Sequence, residues 1–217
     1  MTDSHENEKS IPSIFNDVLG PVMRGPSSSH SAAGNRIGRL CRDLVEGDLK
    51  KAEIFYDPNG SLVTTHKSQG TDMGLYGGFL GWQPDDPRLP DYAAQIAASG
   101  LQIDVRYESY GATHPNNYKL AVEGVNGNQH TLQAISTGGG MIEVTEIDGT
   151  PVRFAGDYFE TLLYLDDQGD ADSIQTELAR TLDGESSEIC EGDHRLLRFS
   201  SRSAPSTEAL ASARNQP

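Results

Sequence analysis

The chain has 217 residues, 35% of them hydrophobic, with a formal net charge of −15, a pI of about 4.6 and a mean hydropathy of −0.51. So acidic a chain repels a phosphate backbone, which sets aside nucleic-acid binding. No apolar run approaches the ~20 residues of a membrane-crossing helix, and the start Met1-Thr2-Asp3-Ser4-His5-Glu6 lacks the basic and apolar parts of a secretory signal, so a cytoplasmic location is expected.

Residues 1–10 are polar and read as a flexible tail, followed by a short apolar lead-in from Ile11 to about Leu19. Then comes Gly25-Pro26-Ser27-Ser28-Ser29-His30-Ser31, and a helical pattern begins at once. Ile37, Leu40, Cys41, Leu44 and Val45 form one apolar stripe that runs to about Glu46, closed by Gly47-Asp48. Ser29 or Ser31 is the expected N-cap. Free N–H groups and the positive end of the helix dipole there suit a carboxylate or phosphate. A plain helix cap is the competing reading of the same serines. Arg24, Arg36 and Arg39 are the nearby cations that would meet an anion in so acidic a chain.

Lys51 to Tyr56 reads as a strand, Thr64 to Gly70 as a polar turn, and Asp72 to Leu80 as a glycine-rich helix packed closely on its neighbours. After a proline-rich loop, Tyr92 to Ser99 is an alanine-rich helix ended by Gly100. Leu101 to Glu108 alternates as a strand, with Leu101, Ile103, Val105 and Tyr107 on one face. Tyr118–Val125 and Gln129–Thr137 flank Asn126-Gly127 as a hairpin. Met141–Ile147 and Pro151–Phe154 form another across Asp148-Gly149. Beyond Gly156 the pattern is strand (Thr161–Leu165), helix (Ser173–Leu182) and strand (Arg195–Phe199). Residues 201–217 are rich in Ser, Ala and Pro and are expected to be disordered.

Three further places carry polar groups suited to chemistry. His66 lies three residues before Gln69, and a glutamine can hydrogen-bond but cannot act as a base. Pro115 stiffens the turn after His114, so that His114 and Asn116 can project together. Ser136-Thr137-Gly138-Gly139-Gly140 permits close backbone approach, as a pocket wall or as a structural bulge. His5, His130 and His194 read as structural or surface residues, and no spacing here resembles a zinc site. Cys41 lies on the helix stripe, and Cys190 sits in a polar stretch without an evident role. Two cysteines cannot supply the three or four thiolates of an iron–sulfur cluster.

The stretch from Ile14-Phe15-Asn16-Asp17 through Gly20-Pro21-Val22-Met23-Arg24-Gly25-Pro26 to Ser27-Ser28-Ser29-His30 resembles the β chain of the two-chain bacterial iron–sulfur L-serine dehydratases. Gly70-Thr71-Asp72, His114-Pro115-Asn116 and Ser136-x-Gly138-Gly139-Gly140 follow in the family's order, and the resemblance covers about Ile11 to Phe154. Two positions depart from it: Gln69 stands where the family has a histidine, and Ser31 where it usually has threonine.

The resemblance implies an α+β fold, with a small-molecule-binding β-chain domain over 11–155; the β-α-β unit over 156–200, where the family carries an ACT domain, reads as a truncated ACT-like unit or as an unrelated replacement. The resemblance also implies conversion of L-serine to pyruvate and ammonia, a [4Fe–4S] cluster ligated by a partner α chain, and a hetero- or homo-oligomer. The catalytic candidates are His30, His66 and His114. Ser27, Ser28, Ser29, Gln69, Asn116 and Ser136 are the substrate-binding candidates, and no metal ligand is expected. A non-catalytic effector-binding module and a lyase for a related hydroxy or thiol amino acid are the alternatives.

Overall fold

A computed structural model of the chain describes residues 23–165, 171–181 and 184–214. The tail assigned to 1–10, the lead-in from Ile11 and residues 215–217 lie outside them. The described part is mixed α+β, as expected, with a six-stranded sheet and a smaller three-stranded one.

Helix α1 (Ser28–Leu44) leads into β1 (Leu49–Tyr56). Three helices follow: α2 (Leu62–Thr65), α3 (Thr71–Phe79) and α4 (Tyr92–Ser99). They form the crossover to β2 (Gln102–Tyr107), which pairs parallel to β1. A crossover of this kind is what a parallel neighbour requires. The chain then continues as an antiparallel meander of β3 (Asn117–Gly124), β4 (Gln129–Gly138), β5 (Met141–Ile147) and β6 (Thr150–Phe154), giving the order β2-β1-β3-β4-β5-β6.

Register turns the alternating apolar residues into rows across one face. Ile54 opposes Leu120, which opposes Leu132, which opposes Ile147; Tyr118, Ala134, Val144 and Phe154 make the next row. The stripe of α1 (Ala33, Ile37, Cys41) and Leu75 and Phe79 of α3 join these rows in one core. The two helices run parallel and very close. A Cβ on Gly74 would lie 1.8 Å from the Ser31 carbonyl oxygen, and one on Gly38 would lie 2.3 Å from that of Leu75. The close packing expected of the glycine-rich helix is therefore made against α1. Its consequence is that both helix N-termini arrive at the same end of the sheet.

The second sheet holds β7 (Phe159–Leu165), β8 (Gly184–Glu191) and β9 (Arg195–Ser201) in the order β7-β9-β8, all antiparallel, with α5 (Ala171–Thr181) between β7 and β8. Strand β8 has no counterpart in the β-α-β pattern expected for 156–200. It is an edge strand, and an edge tolerates the polar Ser186, Ser187 and Glu188 that hide it from a periodicity argument. Cys190, on this strand, is buried in the main core beside Leu196. The expectation of disorder from residue 201 also needs correction, because Thr207–Arg214 forms α6. The Ser206 hydroxyl accepts the Ala209 N–H at 3.1 Å, and Leu210 lines a groove with Ile174 of α5. No described helix is long and apolar enough to cross a membrane.

Candidate active site

Helix α1 starts at Ser28 with Ser27 as its N-cap, two residues before Ser29, the nearer of the two expected caps. The reason is tertiary. The Ser27 N–H donates to the Gln69 carbonyl at 3.3 Å, and the Ser27 hydroxyl lies 2.9 Å from His30 Nδ1. Ser27 is thereby held extended, and Ser28, Ser29 and His30 become the first helical turn, whose N–H groups have no partner four residues back within the helix. Ser31 is buried, its hydroxyl donating to the Gly70 carbonyl at 3.1 Å across the seam between α1 and α3. Gly70 precedes α3 at φ 80°, a left-handed conformation open to glycine.

Loop 57–61 and loop 109–117 meet beside these N-termini. Asp57 joins them, accepting from the N–H groups of Asn59, Tyr110 and Ala112 and from the Ser109 hydroxyl. The Asn59 N–H first, then the other donors, hold its carboxyl below the usual range against the opposing pull of desolvation. Asn116 Oδ1 accepts from Ser61, and the Asn116 N–H donates to His114 Nδ1 at 3.1 Å. Asn117, buried beside them, accepts from the Tyr110 hydroxyl and donates to the His114 carbonyl. The Ser136 N–H donates to the Asn116 carbonyl at 2.9 Å, which ties the end of β4 to the His114–Asn117 loop.

Gly138, Gly139 and Gly140 all have positive φ, and a Cβ on Gly140 would lie 2.9 Å from the Met23 sulfur and 3.0 Å from the Ala32 Cβ. The glycine turn thus leans on α1. Four segments far apart in sequence are collected at one end of the sheet: the serine turn, the Gln69 loop, the His114–Asn117 loop and the end of β4. His30, His114, Ser27, Ser28, Ser29, Gln69, Asn116 and Ser136 all belong to them.

His66 sits differently. It is 3% exposed, and both ring nitrogens are engaged. Nδ1 lies 2.8 and 2.9 Å from the two carboxylate oxygens of Asp72, and Nε2 lies 2.8 Å from the Tyr107 hydroxyl. Tyr56 stacks at a tilt on the ring and donates to Asp72 at 3.4 Å. Burial, and then the Asp72 carboxylate, push the Tyr56 phenol well up, so it keeps its proton as donor. Neither Tyr107 nor the hydrogen bond of Asp72 to His66 is evident in the sequence. Tyr107 reads there as one more apolar-face residue of a strand, and only parallel pairing sets it opposite Tyr56.

The three arginines near the serine turn each bond neutral acceptors. Arg36 is committed to the carbonyls of Gly140, Ala155 and Gly156, Arg39 to Gln83, and Arg24 to the Asp85 carbonyl. At this end of the sheet the N–H groups and dipoles of two parallel helices also favour an anion.

Cysteine chemistry is remote from the site. Cys41 on α1 and Cys190 on β8 are buried, and burial pushes both thiols up, away from the thiolate that binds metal. Among the described residues no three His, Cys, Asp or Glu side chains are grouped to hold a metal ion.

No family model matches the chain. Two curated proteins do. Over 158 residues it is 40% identical to a probable L-serine dehydratase beta chain of Bacillus subtilis (strain 168), a match covering 72% of this chain and 69% of that protein. Over 153 residues it is 33% identical to the L-serine dehydratase beta chain of Peptoniphilus asaccharolyticus, covering 70% of this chain and 68% of that one.

Proposed function

The chain belongs to the family of L-serine dehydratase beta chains, and from that premise we propose that it is the subunit that completes a lyase site for L-serine, yielding pyruvate and ammonia together with an α chain. The observation that carries the reading is the convergence of the serine turn, the Gln69 loop, the His114–Asn117 loop and the end of β4 beside two helix N-termini. The first-turn N–H groups of α1 and the hydroxyls of Ser28 and Ser29 receive the substrate carboxylate. Ser27 orients His30 through their mutual hydrogen bond. Asn116, held by Ser61, and Ser136, held through the Asn116 carbonyl, line the opposite wall.

The cluster implied by the resemblance would be ligated by the α chain, a division of labour supported by two buried, protonated thiols in this one. The second unit, β7-α5-β8-β9-α6, has five of the six elements of a split β-α-β pattern, which supports the ACT-like reading of a truncated regulatory unit.

The test is co-expression with an α chain and assay of pyruvate release from L-serine. Ser29→Ala and His30→Ala should each lower turnover by about 10²-fold while leaving the complex assembled. An active complex indifferent to both substitutions would overturn the site. A complex inactive on L-serine would overturn the substrate.

A further inference from the structure

Asp72, His66 and Tyr107 form a line from the core to the surface. Asp72 is 4% exposed, His66 3% and Tyr107 52%. A carboxylate only accepts hydrogen bonds, so Nδ1 of His66 carries the hydrogen. In the neutral ring Nε2 is then bare, and the Tyr107 hydroxyl donates to it at 2.8 Å. His30 and His114, by contrast, have a hydroxyl and an amide N–H at Nδ1, and among the described residues no carboxylate bonds either ring. Of these three candidates, His66 is the one backed by a buried carboxylate, and its outlet is a phenol. Tyr107 ends β2 beside Tyr56, at the same end of the sheet as the site, and His66 is on the turn whose Gln69 carbonyl holds Ser27.

We propose that Tyr107 is a further catalytic residue of this chain, the group that meets the α-hydrogen of the substrate, with His66 and Asp72 as the positioning pair behind it. This rests on the lyase reading above. As the Tyr107 oxygen takes the α-hydrogen as a proton, its own hydroxyl proton passes to His66 Nε2, and the Asp72 carboxylate stabilises the imidazolium. The electron pair left on Cα forms the Cα–Cβ double bond and expels the β-hydroxyl. The relay then runs back: Tyr107 gives its proton to the departing hydroxide, which leaves as water, and regains one from His66. The products are aminoacrylate and water, and all three side chains return to their starting states.

The experiment has two parts. With the α chain present, Tyr107→Phe should lower kcat by about 10²-fold with KM changed less than about threefold, and should enlarge the isotope effect with α-deuterated L-serine. In the full chain alone, ¹⁵N NMR of the histidines should show His66 with a hydrogen on Nδ1 and a bare Nε2, and Tyr107→Phe should move the Nε2 resonance. An active wild-type complex whose Tyr107→Phe variant keeps its kcat overturns the proposal while leaving the lyase reading standing, and so does an Nε2 resonance that does not move. A wild-type complex inactive on L-serine overturns the lyase reading, and the catalytic role of Tyr107 with it.

Discussion

At the scale of single residues the site depends on groups that never face the substrate. Asp57 is the clearest. The residue is 2% exposed, and its carboxylate joins the loop after β1 to the loop before β3, the one that carries His114 and Asn116. Its folded pKa is depressed, so the stability it contributes is fully present above the ordinary aspartate range of about 3.9. That stability is lost as the pH falls through the lower folded value. Asp57→Asn should therefore lower the melting temperature at pH 7, and the gap to the wild type should narrow as the pH is taken below about 4. Melting curves at several pH values check this; a gap independent of pH would mean that Asp57 acts through shape alone.

At the scale of elements the decisive contact is the parallel pair α1 and α3. Gly74 lets the Ser31 backbone rest directly on α3, and Ser31 then bonds Gly70. A methyl group at 74 cannot be absorbed by a flexible side chain, because what it meets is backbone. Gly74→Ala should cost about 1–3 kcal/mol or more and should move the serine turn away from the Gln69 loop. Gly47→Ala is the contrast, since nothing lies within 4 Å of its added Cβ, and it should stay within about 0.5 kcal/mol of the wild type. Urea unfolding of both variants measures the difference; equal stabilities would remove the helix seam as the element that sets the site.

At the scale of the molecule, the two sheets are joined by buried polar groups as well as by apolar packing. The Thr150 hydroxyl, fully buried, donates to the His194 carbonyl at 2.9 Å and accepts the His194 N–H at 3.0 Å. Alongside, His130, Asp148 and Tyr164 hydrogen-bond across the same junction, so His130 and His194 are joint residues rather than plain surface. Thr150→Val removes the one hydroxyl that partners both His194 backbone groups and should cost about 1–3 kcal/mol. Amide hydrogen exchange should show the loss first in β8 and β9. Uniformly faster exchange through β1 and β3 as well would mean that the two sheets unfold as one unit.

The local pattern of residues determined most of the elements and the family. Apolar periodicity placed α1, and Asn126-Gly127 and Asp148-Gly149 placed the hairpins, because both signals depend on neighbours within a few positions. The motifs around Ser27–His30, Gly70–Asp72, His114–Asn116 and Ser136–Gly140 pointed to L-serine dehydratase beta chains before any contact was known, as the two relatives bear out. What only tertiary structure decided is which of these groups touch. Ser27 becomes the cap because Gln69, 42 residues on, takes its N–H. The three arginines are occupied by carbonyls and a glutamine that no local pattern pairs with them. His66 gains a buried carboxylate and a phenol because a parallel crossover brings β2 beside β1, and strand pairing at that distance leaves no trace in local spacing.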